Sequence, residues 1–583
     1  MYFNRQLFNH LARNSFVGED MQRKILDPEE LERLDKQIDS EVPKQQLAQI
    51  DRDTAVLNSL LAYELNCGYG LEFDESNPRF SSVNWKNNQD ALHFLIDWCY
   101  RFCQPSDKHT VESLDGFSFV PLLEVADQYS LIWDLLSHLR RGWSTATREG
   151  SEIQIAAKPE LIPGASVGDR ILFSPDPPDL LVNPNFDLRN LLDEARARGI
   201  KSTQFLLGLN LLYRRFEYRL PPALVRKHAS ERECLMAHLW IYNPKITIGR
   251  YTISDFRDFW RCLSAVASLH RYLCEKSTII GVADGALQDL ILVKSRKDWA
   301  REMSAFSALP VNKAQCIIDD LTFSPVKREG QKRVDVTLQP FLPLSHDRLC
   351  LSPWLVFSAN AEANLWSLKI SKNSDNFSRH TDTKEAQWLI QLSNFLSSVD
   401  LECLKFNVPT GCGDIDTLFW DRKDNFAIAV QLKSHQPPDR LNEVAQEIKE
   451  LEKGVSQVEK ALDWISANPD PAQSRLQDLL LRNTTLKGLV LTQGTTGGGF
   501  VKHQHVPIAG ERLLKWVIGA PGNRSLRQFW KIANEPDRYL PKAGIHYHDE
   551  VVTAQFAGLT FISSDGGLSL GRPWLPESDI QFD

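Results

Sequence analysis

Apolar residues recur every three or four positions through much of the first half of the chain, and at alternate positions in short stretches of the second. That change of period predicts a mainly helical N-terminal half followed by a mixed α/β part. Leu26-Asp27-Pro28-Glu29-Glu30 carries the signals of a helix start: an aspartate to cap it, a proline in the first turn and acids behind. Helical spacing runs through Asp51–Asn66, Gln89–Phe102 and Ser118–Trp143, and resumes over Thr203–Leu220 and Ile253–Glu275. Between these, Pro159 to Pro184, with Pro163, Pro175, Pro177 and Pro178, reads as an extended connection.

The character changes near Arg333. Val334–Leu338 alternates as a strand, and Leu349–Phe357 and Asn364–Ile370 read as further strands. Ser371–Asp382 is polar and loop-like. Beyond it the expected order is helix, strand, strand, strand, helix, strand. The first helix is Lys384–Leu396, with Ala386, Leu389, Ile390, Leu392 and Leu396 at largely helical spacing and Glu385 in its first turn. Glu402–Val408 is a short strand, and the turn Pro409–Gly413 delivers Asp414-Ile415-Asp416 onto the next, which runs to Trp420. The polar tip Asp421–Asn425 closes a hairpin with a third strand, Phe426–Lys433. Leu441–Ile465 is a clear amphipathic helix, Leu486–Leu491 a fourth strand, and Val506–Ile518 a strand-like entry into another helix.

At 583 residues the chain is too long for one core. The breaks in pattern divide it into a helical domain 1–160, a basic and mainly helical domain 161–330, a strand-rich connector 331–375, an α/β domain 376–530 and an extension 531–583. No run of about twenty apolar residues predicts a membrane span. Met1–Arg13 lacks an apolar signal core, so a cytoplasmic protein is expected. The ten cysteines show no disulfide cadence, and Cys99 and Cys103 lie in an apolar helical stretch where buried thiols are the simpler reading. The net charge of −8 makes the whole molecule no generic polyanion binder. Locally, however, residues 201–300 hold sixteen Lys/Arg against nine Asp/Glu. Arg214, Arg215, Arg219, Arg226, Lys227 and Arg232 cluster there among Tyr213, Phe216 and Tyr218. Such a surface suits a nucleic-acid backbone and its bases, or equally a solvated helix face with its aromatics in the core.

The candidate chemistry lies on the predicted hairpin. Side chains alternate along a strand, so Gln431 and Lys433 share a face, as do Asp414 and Asp416. Pairing of the two strands would bring Asp416, Gln431 and Lys433 together at one end of the sheet. A lysine ending so apolar a strand needs a reason, and phosphodiester hydrolysis supplies one. A carboxylate holds a divalent cation that activates water, and a lysine orients the water and offsets the growing negative charge.

Gly413-Asp414-Ile415-Asp416, followed after fourteen residues by Gln431-Leu432-Lys433, resembles the acidic and D/E-x-K motifs of the PD-(D/E)XK nuclease superfamily. The resemblance implies a restriction-endonuclease-like α-β-β-β-α-β core, hence an α/β multidomain protein, with Asp416 binding metal and Lys433 catalytic. Gln431 departs from the usual acid, as it does in Mrr-like enzymes, and an amide oxygen is a weaker ligand for a hard cation than a carboxylate. Glu385 matches the helical glutamate that many members place beside the metal. Gly454-Val455-Ser456-Gln457 is similar to the glutamine-bearing helix of some branches, in which the glutamine faces the active site. By the same resemblance the cofactor is Mg²⁺ or Mn²⁺ and the substrate nucleic acid, DNA first and RNA as the alternative. Bacterial restriction or anti-phage defence is the setting it implies, with a partner protein or homo-oligomer compatible. A catalytically silent nuclease-like scaffold is the competing reading.

Each site residue also has an ordinary role open to it. Asp416 can cap a turn, although Asp414 suits that task better. Lys433 can mark a strand end reaching solvent, Glu385 can answer the helix dipole, and Gln457 and His435 can be plain surface positions. His503 with His505, and His546 with His548, would share strand faces as metal ligands only if the pairs met. Gly494–Gly499 lacks the Lys-Ser/Thr of a phosphate loop, because Phe500 and Val501 follow it.

Overall fold

In the computed structural model, the described residues are 24–68, 82–105, 114–141, 144–157, 206–210, 215–218, 220–236, 243–279, 289–325, 335–359, 361–370, 374–434, 441–475, 483–493, 501, 505–519, 525–535 and 545–570. They form a mixed α/β protein, and none of their helices is long and apolar enough to cross a membrane.

The N-terminal part opens on strand β1 (Lys24–Ile25) and helices α1 (Pro28–Ser40), α2 (Arg52–Gly68), α3 (Ser82–Phe102) and α4 (Gly116–Arg140). Helix α1 starts where the sequence places it. The Asp27 side chain accepts from the Glu30 amide at 2.9 Å, and Glu30 reaches back to the Asp27 amide, completing a capping box. The expected all-helical unit also carries a sheet. Strands β2 (Ser144–Glu149) and β3 (Glu152–Ala157) form a hairpin. The hairpin β14 (Ile545–Phe556) and β15 (Leu559–Leu570) returns from the far end of the chain to complete the order β1-β2-β3-β15-β14. Strand β15 runs parallel to β3, from Thr560 opposite Glu152 to Ser564 opposite Ala156. Ala554, Leu559 and Phe561 are thereby buried in one core with Leu34, Leu60, Leu95 and Leu123 of the N-terminal helices.

The middle of the chain corrects several expectations. The described parts of Thr203–Leu220 are not helical but form the antiparallel hairpin β4 (Leu206–Asn210) and β5 (Arg215–Tyr218). Helices α5 (Pro222–Met236) and α6 (Ile253–Ile279) follow, then β6 (Leu292–Ser295), α7 (Arg296–Ser307) and α8 (Val311–Asp320). The connector is less strand-rich than its alternation suggests. Asp335–Leu338 is a turn, because the Asp335 carboxylate takes the amides of Thr337 and Leu338 and the Thr337 hydroxyl, which satisfies the backbone without a sheet partner. Strands β7 (Leu342–Leu344) and β8 (Arg348–Leu351) are real, but β8 stops at Leu351 and Ser352 caps helix α9 (Pro353–Ser358). Asn364–Ile370 is helical too, the end of Ala361–Leu365 and a π-helical turn Trp366–Ile370. The proline-bearing connection falls outside the described residues.

The C-terminal α/β unit begins with α10 (Ser374–Ser398), which starts inside the stretch expected to be a loop. Its sheet comprises β9 (Glu402–Leu404), β10 (Thr417–Asp421), β11 (Phe426–Lys433), β12 (Thr485–Thr492) and β13 (Ile508–Gly510), in that spatial order. The first two pairings are antiparallel, whereas β12 lies parallel to β11 and β13 parallel to β12. The parallel step requires a crossover, which α11 (Leu441–Ala467) provides. Alternation on β11 then sorts the layers. Ile428, Val430 and Leu432 face a core with Trp388, Leu392 and Leu396 of α10, Leu514 of α12 (Glu511–Gly519) and Phe529 of α13 (Leu526–Asn534). Ala427 and Ala429 face the other way, onto Ala461 and Ile465 of α11. Gln431 and Lys433 continue this second face.

The C-terminal hairpin is thus part of the N-terminal core. Phe561→Ala is expected to cost about 3–5 kcal/mol, the usual result of emptying a buried aromatic site. Urea unfolding followed with hydrogen exchange in α2 and α4 would check it. Unchanged protection in those helices would contradict the shared core.

Candidate active site

Gly413-Asp414-Ile415-Asp416 leads into β10, which starts at Thr417 and not at Asp414. Asp416 is nevertheless fixed as firmly as a strand residue. Its amide donates to the Val430 carbonyl at 3.0 Å, one step beyond the pairing of Thr417 with Val430. Its carboxylate Oδ2 accepts from Gln431 Nε2 and from the Leu432 amide, both at 2.6 Å. The predicted meeting of Asp416 with Gln431 is therefore direct.

Lys433 lies on the same face two residues along, half-buried beneath α11. Its Nζ stands 3.5 Å from Gln457 Oε1, and Gln457 Nε2 stands 3.4 Å from Asp414 Oδ2. Two glycines permit this closeness. Gly413 has φ +101°, and a Cβ there would fall 2.3 Å from the Gln457 carbonyl oxygen. A Cβ on Gly454 would press on Lys433 Cε at 3.0 Å. Because a glycine inside a helix costs about 1 kcal/mol against alanine, Gly454 is best explained by this approach.

Glu385 is half-buried on α10 and close enough for its charge to act on Asp416. Since α10 starts at Ser374, Glu385 is mid-helix and not in a first turn, which removes the helix-dipole explanation for an acid there. Burial is the main reason the Asp416 carboxyl is pushed up to about 6. The Leu432 amide opposes that shift, Asp414 and Glu385 add to it, and Lys433 works against it.

Of the basic cluster, Arg214 and Arg219 lie outside the described residues, as do the side chains of Arg215, whose backbone lies on β5, and Arg232, whose backbone lies on α5. Arg226 and Lys227 sit on α5, where Arg226 donates to the Ala305 carbonyl at 2.8 Å and so packs α5 against α7. His435, His503 and 494–499 are likewise outside, while His505 is exposed. His546 and His548 lie on β14, with side chains outside the described residues.

What sequence reasoning missed is Asp414, assigned there to a turn cap. Its carboxylate and its amide both meet Gln457, the amide donating to the Gln457 carbonyl at 3.3 Å. The available signal was the pair of glycines, one before Asp414 and one inside an otherwise regular amphipathic helix.

Oxygen donors for a hard cation are present in Asp416, Gln431 and Glu385. Gln431 is 5% exposed, and its Oε1 has no hydrogen-bond partner although its Nε2 is engaged by Asp416. A buried carbonyl oxygen left in this state costs about 1–3 kcal/mol. A cation shared by the Asp416 carboxylate and Oε1 would relieve it. Against this, no group of three or more His, Cys, Asp or Glu side chains among the described residues is arranged to hold a metal ion. An amide oxygen is a ligand outside those residue types, and the orphaned Gln431 oxygen is the more specific observation. By ligand type, carboxylates and an amide oxygen are the donors that Mg²⁺ or Mn²⁺ takes.

No family model, no curated protein and no solved structure matches the chain.

The raised Asp416 pKa carries a stability consequence. Folding favours the protonated carboxyl, so this contribution is complete below the unfolded value near 4 and is lost as pH rises through about 6. Asp416→Asn removes the loss. In metal-free buffer it should stabilise the protein by about 1–3 kcal/mol at pH 7.5 and little at pH 4, read by urea titration. Equal effects at both pH values would refute the burial argument.

Proposed function

We propose that the chain is a metal-dependent nuclease that hydrolyses phosphodiester bonds, with DNA as substrate. The observation that carries this reading is the junction of the Asp416 carboxylate and the buried Gln431 amide, with Lys433 on the same face of the same strand end. The order α10-β9-β10-β11-α11-β12 supports it, as the one that the resemblance to PD-(D/E)XK nucleases implies. Asp416, Gln431 and Glu385 would hold a Mg²⁺ or Mn²⁺ ion. When bound, that ion supplies Lewis-acid polarisation of the phosphate and a more acidic water.

The chain's own groups do the rest. Lys433 presents an ammonium that donates to a non-bridging phosphate oxygen, where negative charge grows as the attacking oxygen closes on phosphorus. Its stem is walled by Gly454, so the ammonium is placed by packing and does not swing freely. Asp416, tied by its own amide and by Leu432, offers a carboxylate that needs little reorganisation to act. Glu385 adds a second negative charge where the neutral Gln431 has replaced one. Restriction or anti-phage defence in a bacterium is the setting the family resemblance suggests.

A specific observation favours a second reading, a silent nuclease-like platform for nucleic acid or a partner protein. The strand-end acid is an amide here, and no three acidic, histidine or cysteine side chains among the described residues gather as ligands.

Incubation with supercoiled, linear and single-stranded DNA and with RNA, each with and without Mn²⁺, separates the readings. Asp416→Ala and Lys433→Ala should each lower the cleavage rate by at least about 10²-fold, the scale of losing one electrostatic or proton-transfer group, with the fold intact by circular dichroism. Full activity in either variant would overturn the assignment. Absence of Mn²⁺ heat in calorimetry of the wild type would favour the platform, and preference for RNA in competition would make the enzyme an RNase.

A further inference from the structure

The polar groups at the mouth of the site form a line that the nuclease reading does not itself require. Asp414 Oδ2, Gln457 Nε2, Gln457 Oε1 and Lys433 Nζ follow one another at 3.4 Å and 3.5 Å across the amide. The charges at the two ends fix which way that amide points. Turned over, it would set its NH₂ against the lysine ammonium and its oxygen against the carboxylate, losing both contacts. Asp414 grips Gln457 a second time, through its backbone amide, and Gly413 lets the loop lie directly on α11 at Gln457 and Ala461. The exposed Asp414 is thus bound to the helix that roofs Lys433, while the neighbouring Asp416 is bound to the strand below it.

We propose that Asp414 is a positioning residue: acting through the Gln457 amide, it holds the Lys433 ammonium in the orientation from which it meets the scissile phosphate. The role is distinct from metal ligation. The Asp414 oxygen is turned to Gln457 and away from the Asp416 junction with β11. A carboxylate drawing on one end of an amide strengthens the acceptor at its other end, so loss of Asp414 loosens the lysine without removing it. The proposal rests on the nuclease reading for its kinetic consequence but not for its geometry.

The experiment compares wild type, Asp414→Ala, Asp414→Asn and Gln457→Ala in the full chain. In metal-free protein labelled with ¹³Cε-lysine, the Lys433 signal, assigned with Lys433→Arg, should move in Asp414→Ala and Gln457→Ala. It should stay near its wild-type position in Asp414→Asn, which keeps an acceptor for Gln457. With Mn²⁺ and a DNA substrate, Asp414→Ala should lower kcat about tenfold with KM and Mn²⁺ affinity unchanged, a fraction of the usual loss when a proton-transfer group is deleted. Asp414→Asn should recover most of that rate. An unmoved Lys433 signal in Asp414→Ala would overturn the proposal, as would weakened Mn²⁺ binding in that variant, which would make Asp414 a ligand. Should the wild type cleave no nucleic acid, the nuclease reading falls, while the lysine signal still decides the relay.

Discussion

A single carboxylate oxygen organises this site. Asp416 Oδ2 receives two donors from adjacent residues of β11, the Gln431 side chain and the Leu432 backbone, at the point where the central strand ends. Two donors on one oxygen, in a place shielded from water, hold the segment before β10 in register with β11. The same shielding raises the cost of the charge. The arrangement therefore binds an anion tightly in position while leaving it short of positive charge, and Lys433 is a cation on that face whose charge reaches it. The rest of the unit serves this junction: α10 brings Glu385 from one layer, and α11 brings Gln457 from the other.

The two layers explain how one strand can be both core and site. Ile428, Val430 and Leu432 fill the apolar side against α10, α12 and α13. The opposite side is built for close approach, with Ala427 and Ala429 under α11 before the face turns polar at Gln431. Small residues draw the helix down, and Gly413 and Gly454 let loop and side chain slide beneath it. Polar groups at the strand end are thus preorganised by packing that lies elsewhere.

Where the sequence was legible, it was so for local reasons. The apolar run Phe426–Lys433 is bounded by a polar tip and a lysine, so the strand is read to the residue, and the hairpin register follows from it. The capped start at Asp27 and the amphipathic stripe of α11 are equally local signals. Misreadings cluster where local signals are ambiguous or partners are remote. Leu365 and Leu368 are three apart and buried in a helical segment, yet a window of seven residues reads as a strand just as well. Val334–Leu338 alternates, but Asp335 satisfies the backbone first. The polar front of α10 hides eleven helical residues before Glu385, from Ser374 to Lys384, and with them the reason that acid is not a cap. Strand β15 finds β3 across almost the whole chain, a pairing no local pattern announces. Of the site, the shared face of Gln431 and Lys433 was legible from strand alternation, and the meeting of Asp416 with Gln431 from the hairpin, whereas Asp414 was not, since its partner sits on a helix beyond the hairpin.

The central claim is that the unpartnered Gln431 oxygen and the Asp416 carboxylate are two halves of one cation site. Anomalous diffraction from crystals soaked in Mn²⁺ tests it most directly. The account predicts a manganese peak bonded to an Asp416 oxygen and to Gln431 Oε1. A soaked crystal with no manganese at Asp416, or with manganese there and Gln431 Oε1 still without a partner, would contradict it.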